Sequence, residues 1–139
     1  MMDAYLNNFE YQIDLREKLN PISIKSAYPI DAYLLVLDAY THSTRYFEEI
    51  PNPPFGTAPF HSMDGYYLSY CVLKFSYECF VVDAEETLHE WNIRNSEDIG
   101  NIVYDLISVG LMEQQEGDSI NDFQNLFVVT QEIISNVNL

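Results

Sequence analysis

Residues 83–127 read DAEETLHEWNIRNSEDIGNIVYDLISVGLMEQQEGDSINDFQNLF, and their punctuation decides what the rest of the chain must fit. Asp83 opens a short apolar-periodic segment with Glu86 three residues on, the spacing of a capping box. Leu88 and Trp91 are its inward positions, with Trp91 expected to be largely buried, and Asn92-Ile93-Arg94 makes a turn. Asn95 or Ser96 caps a longer segment whose first turn carries Glu97 and Asp98, where carboxylates favour the helix dipole. Ile99, Ile102, Val103, Leu106 and Ile107 recur at i, i+3, i+4, i+7 and i+8, one face of an amphipathic helix. Gly100 on that helix points to a close approach by a neighbouring helix. Gly110 stands where a left-handed residue ends a helix. Residues 111–115 then read as a strand, 116–121 as a turn and 123–130 as a returning strand.

Short helix, turn, longer helix and hairpin is the winged-helix order. The expected fold is therefore mainly α, a helical domain with a winged-helix-like C-terminal unit ending in a β-hairpin. Upstream, residues 4–19 carry Leu6, Phe9, Ile13 and Leu15 at helical spacing, and Asn20-Pro21 is expected to end that helix. Pro29 suits a first turn, and Ala32, Leu35, Val36, Ala39 and Tyr40 form one face of a second helix reaching Phe47. Residues 50–60, IPNPPFGTAPF, hold four prolines and read as a loop pinned by Phe55 and Phe60. Ser62 or Asp64 caps the helix after it, whose Leu68, Cys71, Val72, Phe75 and Cys79 share a face. Tyrosines cover its other faces, so it is apolar nearly all round and central to a core. Residues 131–139 allow a short terminal helix. The organisation is one domain over 1–139: N-terminal helices in 1–49, a proline-rich loop at 50–61 and the winged-helix-like unit at 62–139.

A chain of 139 residues with 47% hydrophobic and 14% aromatic residues can bury a sizeable core. Acids outnumber bases 22 to 6, for a formal net charge of −16, which repels phosphate and anionic lipid and favours basic partners or plain solubility. Cys71 and Cys79 on one helix stand roughly 12 Å apart, beyond the ~7 Å that a disulfide spans. No apolar run reaches the ~18 residues of a membrane span, and the N-terminus carries no basic region ahead of an apolar stretch. The expected setting is a reducing cytoplasm, away from the membrane.

Pro29 with Ala32-Tyr33 and Val36-Leu37, then Trp91-Asn92-Ile93-Arg94, Ser96-Glu97-Asp98-Ile99-Gly100, Val103, Gly110-Leu111, Asp118-Ser119 and Asp122-Phe123, resemble a small uncharacterised family restricted to Verrucomicrobia and Planctomycetes. The resemblance spans about residues 28–127 and is most specific over 91–123. The family has Gly where this chain has Asn92, and the segment after Tyr40 fits loosely. It implies a shared fold; with no established activity in that family, no catalytic residue comes with it.

The chemistry weighs against a reader of DNA. The last Lys or Arg is Arg94, and residues 95–139 contain eight acids and no Lys or Arg, whereas phosphate contact needs cations. The three histidines, His42, His61 and His89, are too scattered for a metal motif, and residues 116–122 lack the alternation of a calcium loop. No nucleophile is spaced with a base and an orienter, so no cofactor, metal or catalytic residue is assigned. The expected function is a non-catalytic protein-interaction module with a protein partner, plausibly basic. Candidate partner-binding residues are Arg94, Glu97, Asp98, Asp118 and Asp122, with Arg94 expected to pair with Glu97, Asp98 or the wing. The alternatives are an enzyme with a carboxylate-based site, and a DNA-binding regulator or DNA mimic. Eleven tyrosines and the outer strand 123–130 would also suit a homodimer.

Overall fold

The computed structural model describes residues 9–43, 45–46 and 65–137. It is mainly helical: α1 Phe9–Lys25, α2 Ile30–Thr41, α3 Gly65–Phe80, α4 Ala84–Glu90, α5 Ser96–Ser108 and α6 Gln131–Asn136, with 3-10 turns at Val81–Asp83 and Ile120–Phe123. Buried side chains from all six helices and from the chain between α5 and α6 form one contiguous apolar cluster. No helix among the described residues is long and apolar enough to cross a membrane.

Helix α3 is the centre, as its all-round apolarity requires. Tyr67, Tyr70, Cys71, Val72 and Leu73 are all essentially inaccessible to solvent, and α3 packs against α2, α4 and α6. Cys79, expected on the same inward face, is exposed, because the helix runs past the core in its last turn. Helix α5 buries Ile99, Ile102, Val103 and Leu106 as its periodicity dictates. Its end is a complete Schellman motif: Gly110 at φ 80°, with the Gly110 N–H on the Ile107 carbonyl and the Leu111 N–H on the Leu106 carbonyl, each at 3.0 Å.

Three further expectations about the helices need correcting. Helix α1 does not stop at Asn20-Pro21 but runs to Lys25 with Pro21 inside. Leu15 and Leu19 are buried and Ile22 packs on the core, while the Ser23 hydroxyl donates to the Tyr28 carbonyl at 2.8 Å. Burial on both sides of the proline outweighs its missing donor. Helix α2 ends at Thr41, with His42 closing it, rather than reaching Phe47. Trp91 is only half-buried, edge-on to Phe80 at 5.7 Å; the residue sealed between α4 and α5 is Ile93. The expected loop at 50–61, with Phe55 and Phe60, and the caps Ser62 and Asp64 lie outside the described residues.

The largest correction concerns the wing. Residues 111–130 form no hairpin; they run as an irregular strap, with a single antiparallel bridge between Asn95 and Val128. Polar side chains in the strap take its backbone donors first. Asp118 accepts the Gln115 N–H at 2.8 Å, and Ser119 and Asp122 build a capping box around the turn Ile120–Phe123. Such local bonds compete with a strand ladder for the same groups. That turn drives Phe123 into the core against Gly100 and sets Asp122 against Gly65. A Cβ on Gly100 would stand 2.8 Å from the Cβ of Phe123, and one on Gly65 would stand 2.9 Å from the Asp122 carbonyl. Gly100 thus serves a close approach as expected, although what approaches is a 3-10 turn.

Candidate functional site

The five sequence-picked residues separate into two groups, one at the start of α5 and one at the edge of the strap. At the start of α5, Asp98 is fully occupied. Its Oδ2 accepts the N–H groups of Arg94 at 2.8 Å and Asn95 at 3.3 Å, and its Oδ1 accepts the Tyr28 hydroxyl. Asn101 donates to that same hydroxyl at 3.1 Å, and two turns further on Tyr33 donates to Asp105 at 2.6 Å. Burial, then these carboxylate bonds, push both phenols above their ordinary range. Glu97 accepts the Asn125 N–H at 3.0 Å, and the Ser96 hydroxyl receives the Leu126 N–H at 3.1 Å while bonding the Phe123 carbonyl. The start of α5 is therefore a clamp on the strap rather than a free acidic face.

Arg94 makes no ion pair among the described residues, against expectation. Its backbone is used, the N–H on Asp98 and the carbonyl receiving the Val129 N–H at 2.8 Å, and the carboxylates meant for its guanidinium are already held by backbone donors. Its side chain borders a shallow, open depression with Val82, Glu86, His89 and Glu90. The one described ion pair is elsewhere, Arg45 with Glu78 at 2.6 Å, joined by the Tyr46 hydroxyl at 2.8 Å.

Asp118 and Asp122 come together at a cavity of about 60 Å³ between α2, α3, α5 and the strap. Its floor is apolar: Leu68, Val103, Met112 and Phe123 are buried and Ile107 is half-buried. Its rim is polar, with Tyr40, Tyr104, Glu113 and Gln115 beside the two aspartates. Each aspartate uses one carboxylate oxygen as a local cap, Asp118 to Gln115 and Asp122 to the Ser119 N–H at 3.0 Å. The second oxygen of each has no hydrogen-bond donor among the described residues. The negative field at the rim shows on Tyr104, whose phenol is pushed up first by burial and then by Asp118 and Asp122.

No group of three metal-ligating side chains occurs among the described residues. Burial pushes the Cys71 thiol up to about 12, and the exposed Cys79 is also raised by burial and by Glu78 and Asp38, so neither is an activated nucleophile. His42 stacks on Phe75 at 5.2 Å, and His89 bonds the Val129 carbonyl at 2.9 Å. No described histidine stands ready as a base beside a hydroxyl or thiol. Scans of family models, curated proteins and solved structures find no match to this chain.

Sequence reasoning missed the partners of the α5 carboxylates, although Asp98, Asn101 and Asp105 stand at i, i+3 and i+7, a polar stripe beside the apolar one. It also missed Tyr40 and Tyr104 at the cavity. Their meeting depends on three separate helices and a strap, and no local spacing announces that.

Proposed function

We propose that this chain is a non-catalytic interaction module for a basic protein partner, built on a helix-turn-helix whose wing is replaced by a strap. The observation that carries the reading is uncompensated negative charge around a cavity: Glu113, Asp118 and Asp122 stand at one rim, and no Lys or Arg follows Arg94 in the chain. Capping uses one oxygen of each aspartate and leaves the charge in place. Such a field speeds encounter with a cationic surface and turns away phosphate. An enzyme reading has less support, because the described carboxylates mostly act as caps and clamps, and DNA binding has less still.

The test is fluorescence anisotropy of a labelled lysine-rich peptide against a glutamate-rich control and a DNA duplex, each at about 50 and 500 mM salt. Saturable binding of the lysine-rich peptide alone, weakened by salt, is the expected result. Tight duplex binding, or no preference between the peptides, would sink the reading.

A further inference from the structure

One place on the acidic face is more than charged surface: the cavity under the strap. Its inner wall is hydrocarbon, from Leu68, Val103, Ile107, Met112 and Phe123, and its rim carries Glu113, Asp118 and Asp122. A wholly apolar guest would leave the spare oxygens of the two aspartates without a counter-charge, and an anion would be repelled by them. A long side chain with an apolar stem and a cationic tip satisfies both halves. Size then separates the two such side chains. A volume of about 60 Å³ holds about four to six water-sized groups. The lysine side chain is four carbons and a nitrogen; the arginine side chain has two further heavy atoms and a flat, broad tip.

We infer that this cavity receives a single lysine side chain, its methylenes on the floor and its ammonium at Asp118 and Asp122. This rests on the reading of the chain as a module for a basic partner and names the group that anchors it. Tyr104 and Tyr40 line the same cavity, and a tyrosine hydroxyl can accept from an ammonium, whose three donors need more than one acceptor.

The experiment titrates n-butylammonium, the lysine side chain in isolation, into the ¹⁵N-labelled full chain at constant ionic strength. 1-Butanol serves as the neutral probe and n-propylguanidinium as the arginine probe. Butylammonium should give saturable shifts at the amides of Val103, Tyr104, Met112 and Phe123, with the other two probes at least about fivefold weaker. The pair Asp118→Asn and Asp122→Asn should weaken butylammonium about tenfold while keeping the fold, since asparagine also caps. Equal binding by butanol would reduce the site to a greasy hole and overturn the proposal. So would preference for propylguanidinium, shifts confined to other amides, or nuclear Overhauser contacts showing another part of this chain or a second copy in the cavity. If the lysine-rich peptide binds with salt sensitivity but butylammonium leaves these amides unmoved, the lysine pocket fails and the module survives. If the peptide also fails to bind, both fall.

Discussion

Helices α4 and α5 begin with nearly the same signal and end up held in opposite ways. Asp83 with Glu86 and Asn95 with Asp98 are both a capping residue followed by an acid three positions on. At α5 the box closes in both directions, Asn95 accepting the Asp98 N–H at 3.0 Å and Asp98 accepting the Asn95 N–H at 3.3 Å. At α4 the Asp83 side chain makes no capping bond. The difference lies in how the chain arrives. Asn95 is extended, at φ −155° and ψ 175°, which turns its side chain back over the first free donors. Asp83 arrives from the turn Val81–Asp83 at φ −94° and ψ 6°, already coiled, so α4 continues a helical path. The neighbouring acid then finds other work: Glu85 accepts the Gln131 N–H, and its own N–H donates to the Gln131 side chain at 3.2 Å. A capping sequence is thus a capacity that the incoming backbone either uses or wastes.

The comparison breaks first at Asp98. Asp98→Ala removes the acceptor of two backbone N–H groups and leaves the Tyr28 hydroxyl, in a residue that is 7% exposed, without its acceptor. A lost cap costs about 1 kcal/mol and a stranded buried polar group about 1–3 kcal/mol more. The expected loss is about 3 kcal/mol in urea unfolding, with Asp98→Asn recovering part of it. A loss under about 1 kcal/mol would mean that the α5 cap and its bond to Tyr28 carry little of the stability.

The second test uses alkali. Tyr28 and Tyr33 have phenols raised above the ordinary 10.0, and Tyr67 is pushed up to about 12 by burial, with Cys71 next. In each case the neutral form is the one the fold accommodates. The stability they contribute is whole below pH 10, where the unfolded chain also keeps its phenols protonated. It is lost as pH climbs from 10 through the folded values. Each such tyrosine adds a slope of about 1.4 kcal/mol per pH unit in that window. Urea midpoints measured between pH 8 and 11 should fall above pH 10, and Tyr28→Phe should remove one proton's share of the slope. An unchanged slope in that variant would detach Tyr28 from the α5 junction. Nothing comparable is expected at α4, whose opening acids touch no phenol.

What was legible in the chain follows the same division. Helix α5 could be read from Ile99 to Gly110 because its inward face, first-turn acids and terminal glycine are all local. The central position of α3 could be read from its apolarity, and the close approach at Gly100 from the bare glycine. The hairpin pattern misleads because residues 111–130 contain turn formers and a few apolar residues that fit a strap as well as a wing. Only the seating of Phe123 against Gly100 and of Asp122 against Gly65 decides between them, and both glycines are far from the turn in the chain. The candidate acids are legible as acids but not in their separate roles: Glu97 holds the strap, Asp98 holds the entry to α5 and Tyr28, and Asp118 and Asp122 keep an oxygen for the cavity rim. Charge is visible in a sequence; which oxygen already has a donor is not.

The smallest effect is the sharpest test of the comparison. If capping capacity at α4 is unused, Asp83→Ala and Glu86→Ala should each change stability by less than about 0.5 kcal/mol, the range of ordinary surface substitutions. Asn95→Ala, at the matching position, should cost about 1 kcal/mol. The three variants measured side by side in urea hold helix propensity nearly constant, since alanine favours any helical site. Val81 adds a reason to expect the contrast. It sits at φ 50°, a conformation that branched side chains rarely adopt, so the entry to α4 is set by the α3–α4 junction and not by a cap. A cost of 1 kcal/mol or more for Asp83→Ala would mean that the box at α4 forms in solution, and the two helix starts would then be alike after all.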